Sequence, residues 1–149
     1  MFTSAERIET HSDRPYRIYE VALSFAGEDR AYVKRVANAL REMKLRVFYD
    51  EYENVTLWGK DLYVHLDEIY SKHAKYCVAF LSEHYKRKLW TNHERESAQA
   101  RAFEERSEYI LPVKLDETEI PGVRKTVGYI GKLPPKRLAK LIFEKVRRG

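Results

Sequence analysis

Four short apolar runs recur along the chain: IYEVALSF (residues 18–25), LRVFYD (45–50), KYCVAFLS (75–82) and EYILPVKLD (108–116). Their spacing constrains the fold more than any other feature. A run that is apolar at consecutive positions suits a strand covered on both faces, because a strand with one wet face would alternate. Between the runs the period changes. After Asp29, placed to cap a helix, Val33, Val36, Ala37 and Leu40 recur at helical spacing. Residues 60–71 set Leu62, Leu66, Ile69 and Tyr70 on one side of a second helix, and residues 92–106 form a third. The closing helix spans residues 134–148, with Pro134 and Pro135 at its start, where a missing N–H costs little. EYENVTLWG (51–59) and EHYKRKLW (83–90) read as loops and VGYI (127–130) as a short fifth strand. Pro112 inside the fourth run predicts an edge or a bulge there.

Strands alternating with helices predict an α/β fold, a parallel sheet with helices on both faces. In such sheets ligands bind beyond the carboxyl ends of the strands. That rule singles out residues 25–30, 50–59 and 82–94.

The chain has 149 residues, enough for one domain with a core that needs no disulfide or metal. Residues 1–16 read as a polar leader and residues 17–149 as the domain. The one cysteine, Cys77, sits in an apolar run and predicts a buried thiol in a reducing, cytoplasmic setting. No stretch approaches the length of a membrane span. The net charge of +5 suits phosphate-bearing ligands. Part of the excess lies in the last helix, which reads as a solvated face rather than a nucleic-acid surface.

Several chemistries are excluded by pattern. FAGEDR has one glycine, not the three of a dinucleotide fingerprint, and no GKS or GKT follows it. His65, His73, His84 and His93 form no metal set with a carboxylate at ligand spacing, and no GxSxG elbow occurs. The remaining chemistry rests on a carboxylate. Glu94 has two readings. Thr91 to Glu94 matches a capping box, which would explain the glutamate by helix capping alone. Yet Trp90, Glu94, Ala98 and Ala102 fall at i, i+4, i+8 and i+12, one row of the helix that is otherwise apolar or small. A carboxylate at the mouth of that row would face the cleft above the strands.

YEVALSFAGEDR, LRVFYDEYENVTLWGKDL and YCVAFLSEHYKRKLWTNHE, in that order, resemble the first box, the second strand with its following loop, and the W-x-x-x-E region of TIR (Toll/interleukin-1 receptor) domains, bacterial ones in particular. The resemblance covers residues 19–130 and implies a flavodoxin-like five-stranded parallel sheet.

Enzymatic members of that family cleave the nicotinamide–ribose bond of NAD⁺, giving nicotinamide plus ADP-ribose or a cyclic isomer. By the resemblance the catalytic residue is Glu94 and Trp90 is the pattern's aromatic. Phe25, Ala26, Gly27 and Arg30 are expected to line the pocket, and Asp50, Trp58 and Lys60 to border or cover it. NAD⁺ is then the substrate; no cofactor and no metal is implied. Bland roles stand beside these: a core position for Phe25, a tight turn for Gly27, an ion pair for Arg30, a turn for Asp50. The resemblance further implies homotypic TIR–TIR assembly and bacterial immune signalling in which a separate effector reads the product. A host-directed secreted effector is another setting it allows. A non-catalytic TIR module and a nucleoside deoxyribosyltransferase are the alternative functions.

Overall fold

The computed structural model describes residues 18–59, 73–89, 109–123 and 127–149. The leader and the helices expected over 60–71 and 92–106 lie outside them. Five strands form one parallel sheet: β1 (Tyr19–Ser24), β2 (Val47–Phe48), β3 (Ala74–Leu81), β4 (Ile110–Lys114) and β5 (Ile130–Gly131). Their order is β2-β1-β3-β4-β5, the flavodoxin-like arrangement that the resemblance implies. The helices are α1 (Arg30–Glu42), the single turn α2 (Asn54–Leu57), α3 (Glu83–Leu89) and α4 (Pro135–Arg148). None of them is long and apolar enough to cross a membrane.

β1 and β3 pair from Tyr19↔Ala74 to Ser24↔Ala79 and form the centre of the sheet. Alternate residues serve opposite faces. Val21 and Leu23 join the main core with Val33, Val36, Ala37 and Leu40 of α1 and with Leu138, Ala139, Ile142 and Val146 of α4. Ala22 faces the other way, with Phe48 and Ala74. The helical spacing read in α1 and the buried thiol of Cys77 are both borne out. Pro135 occupies the first turn of α4, as the two prolines predict.

Three local readings are corrected. EHYKRKLW is not all loop: residues 83–89 form α3, with Glu83 in its first turn and Lys86, Arg87 and Lys88 in its last, charges that suit the helix dipole. Residues 50–57 likewise curl into a 3₁₀ turn followed by α2, where the sequence suggests a loop. The third correction concerns Pro112. β4 is not the edge strand, because β5 pairs with Val113 and Lys114. The amides of Leu115 and Cys77 bond Leu81 and Tyr109 across the β3–β4 ladder. By that alternation the odd-numbered residues of β4 serve β3, so Pro112 turns its missing N–H away from β3, ahead of the short β5 ladder.

α1 closes without glycine. Lys44 takes φ 70°, its amide bonds the Arg41 carbonyl, and the Leu45 amide bonds that of Leu40. This is a Schellman closure with Leu45 folded back as the apolar contact. A side chain in the left-handed region is strained, so Lys44→Gly should raise unfolding stability by about 0.5–1 kcal/mol, read by urea titration.

Candidate active site

Because the sheet is parallel, the turns after β1, β2 and β3 emerge on one edge. The first is Phe25–Arg30. Ala26 is buried with Ala79, Leu81, Tyr85 and Ile120, fixing the turn from below. Its carbonyl accepts the Asp29 amide at 2.9 Å and closes the 3₁₀ turn Gly27–Asp29. Gly27 is exposed, and a Cβ built there would meet no atom of the described residues within 4 Å. Space next to its own chain therefore does not require glycine here.

The next three residues each reach a different neighbour. Glu28 Oε1 lies 3.8 Å from Lys88 Nζ near the end of α3. Asp29 occupies the N-cap position of α1 but makes no capping bond, contrary to the capping role read from the sequence. Its Oδ2 instead accepts the Ser82 hydroxyl at 2.6 Å. Arg30 grips Asp50 with both guanidinium nitrogens, at 2.9 and 2.8 Å. It also donates to Glu51 and to the Tyr49 hydroxyl, each at 3.0 Å.

Arg30 is further held by rings. Its Cζ lies 5.0 Å from the Phe25 centroid and 5.6 Å from that of Tyr49, while Phe25 and Tyr49 stack at 5.7 Å. The hydrogen bonds it donates to Asp50 hold the guanidinium firmly charged, against the opposing effect of burial. Tyr19 donates to Glu53 at 3.2 Å, tying the second turn to β1. Burial, reinforced by Glu53, pushes the Tyr19 phenol up to about 12, so it stays a neutral donor.

A model of the TIR domain family matches residues 21–141. The chain belongs to the TIR domain family. It is also 58% identical, over 132 residues, to the 3′ cyclic ADP-D-ribose synthase AaTIR of Aquimarina amphilecti. That alignment covers 87% of this chain and 40% of the relative, so the chain spans well under half of the relative's length.

Of the site residues expected in this TIR domain, Phe25, Arg30 and Asp50 are in one cluster, with Ala26 and Gly27 in the same turn. Trp58 stands apart, 86% exposed at the end of α2, just before Gly59 at φ 85°. Lys60, Trp90 and Glu94 lie outside the described residues. Tyr49, Glu51, Ser82 and Tyr85 were not singled out from sequence. Ser82 had a usable signal, a serine followed by an acidic and then a basic turn, which marks a helix start. Tyr49 and Glu51 had none, because their roles arise only where two turns meet.

Two outcomes test this geometry. Gly27→Ala should leave unfolding stability within about 0.5 kcal/mol of the parent. Arg30→Ala, which takes the fork from Asp50 and leaves Glu51 only Lys34 at 3.8 Å, should cost on the order of 1 kcal/mol, the same titration checking both.

Proposed function

We propose that this TIR domain cleaves the nicotinamide–ribose bond of NAD⁺, as a glycohydrolase or an ADP-ribosyl cyclase. The carrying observation is the 58% identity to a cyclic ADP-ribose synthase over 87% of the chain. That relative's activity favours the cyclic product for this chain, with a 3′ oxygen in the new linkage.

The step needs little from the protein. Nicotinamide leaves as a neutral molecule, taking the bonding electrons that cancel the charge of its pyridinium ring. Positive charge then builds on the ribose, and a carboxylate beside its hydroxyls favours that state over the ground state. Glu94 is assigned that role and Trp90 an apolar wall beside it. A lone pair from water, or from a hydroxyl of the same molecule, forms the new bond at C1′, and its proton passes to Glu94 or solvent. Phe25, Ala26 and Gly27 are assigned to the pocket wall, and Trp58 and Lys60 to its cover. Asp50 and Arg30 hold the first two turns together. Glycine at position 27 fits close approach by a ligand, since the backbone has no local need of it.

A specific observation also favours homotypic assembly. Val55 and Trp58, 84% and 86% exposed, project after the edge strand β2 beside the acidic run Asp50–Glu53. At the opposite edge of the sheet, α4 and β4–β5 enclose an apolar groove of about 550 Å³. Leu111, Ile130, Leu138 and Leu141 line it, and Lys145 and Arg148 outnumber Glu144 among the charged side chains around it. An acidic apolar knob and a basic apolar hole on opposite edges suit head-to-tail addition of copies, which need not close into a ring. Such assembly accompanies catalysis in this reading, and a separate effector reads the product.

Incubation with NAD⁺ and chromatography should reveal nicotinamide and a cyclic product, with Glu94→Gln lowering turnover at least 100-fold. Full turnover by the Gln variant defeats the assignment. Specific activity should rise with protein concentration, and Trp58→Ala or Arg148→Glu should remove that rise and shift sedimentation toward monomer. Unchanged sedimentation in both variants removes the knob-and-groove contact.

A further inference from the structure

We infer that Asp29 is a positioning residue, acting through Ser82 to set the direction of α3, from whose end the chain continues to Trp90 and Glu94. This rests on the role proposed for Glu94 and deepens it.

Asp29 stands where a carboxylate would ordinarily cap α1, a contribution of about 1 kcal/mol, yet makes no such bond. Its oxygen is directed across the sheet to Ser82, 53 residues away in sequence, and the 2.6 Å separation is that of a charge-assisted bond. Ser82 is 2% exposed and, tyrosine hydroxyls aside, is the one polar side chain among the buried described residues. Its single hydroxyl proton goes to Asp29, leaving a lone pair for the Tyr85 amide at 3.1 Å. Both functions of the hydroxyl are used, so its direction is set, and with it the first turn of α3.

Two further ties pin that turn. The Tyr85 hydroxyl, buried and pushed up by that burial so that it stays protonated, meets Ser24 Oγ at 2.8 Å. The Glu83 amide bonds Asp116 Oδ2 at 3.0 Å. α3 has seven residues, too few to hold itself by helix propensity, so these contacts decide its direction. At roughly 1.5 Å per residue it is a lever about 10 Å long. It ends at Leu89; Trp90 follows, and Glu94 four residues later. A tilt of about 10° at the start moves the far end by roughly 2 Å, and about 1 Å of misplacement can cost ~100-fold in rate.

The test uses the whole chain with Asp29→Ala, Ser82→Ala, the double variant and Asp29→Asn. The readouts are kcat, KM, the fraction of product that is linear ADP-ribose, and melting temperature. In a Trp58→Phe background Trp90 is the sole tryptophan, and its emission reports placement without any reaction. Each Ala variant should lower kcat about 10–100-fold with KM within about threefold, and raise the linear fraction. Both should shift Trp90 emission alike. The double variant should be no worse than the weaker single one, and Asn, which keeps an acceptor oxygen, should recover most of the rate. Unfolding alone removes both products in proportion and cannot change their ratio. Losses that multiply in the double variant, an unchanged product ratio, or an unshifted emission overturn the inference. If the parent chain releases no nicotinamide at any concentration, the proposed function fails. The emission arm then decides the positioning by itself, an unshifted Trp90 overturning it.

Discussion

β1 and β3 are buried on both faces, and the rest of the molecule follows from that. A strand in that position can satisfy its backbone N–H and C=O groups only by pairing, so the register from Tyr19↔Ala74 to Ser24↔Ala79 leaves little latitude. Their buried positions take apolar residues, Val21, Leu23 and Phe80 toward α1 and α4, Ala22 and Ala79 away from them. Polar side chains are thereby displaced to the strand ends. With all strands parallel, their carboxyl ends share one edge, and chemistry concentrates there.

At that edge the turn after β1 works as a junction. Its residues 28, 29 and 30 reach α3, the start of α3, and the turn after β2 respectively. Each contact is modest on its own, since exposed pairs such as Glu28–Lys88 contribute little. The better buried ones weigh more. The Asp29–Ser82 bond and the Arg30–Asp50 fork hold two segments against β1 that sequence separation would otherwise let drift. Arg30 is also flanked by Phe25 and Tyr49, whose stacked rings restrict one another. These contacts hold the base of the site, and no atom of the described residues crowds Gly27.

The opposite edges of the sheet differ in character. After β2 the chain projects Val55 and Trp58 with acidic neighbours; beside β5 the surface is concave, apolar and basic. β2 and β5 are each only two residues long. Short edge strands offer little backbone for β-type association, leaving side chains to determine how copies meet.

Much of this was legible in the sequence. The apolar runs specified which segments become strands, and the period of Val33, Val36, Ala37 and Leu40 specified the buried face of α1, because burial on one or two faces imprints a period on neighbouring residues. The ordered motifs specified the family, and with it the strand order. Other features escaped that reading. α3 is held by Ser82 and by Asp116 from the turn after β4, partners that no local window contains. Asp29 reads as a cap from its neighbours and becomes a cross-sheet ligand for Ser82 only when β1 and β3 lie side by side. Arg30 reads equally as a phosphate ligand or an ion-pair partner until Asp50 and Glu51 are brought against it. Periodicity records what each residue is buried against in its own element, so sequence alone determined the elements and their faces. Which polar groups meet across strand ends depends on long-range pairing, and that the tertiary structure decided.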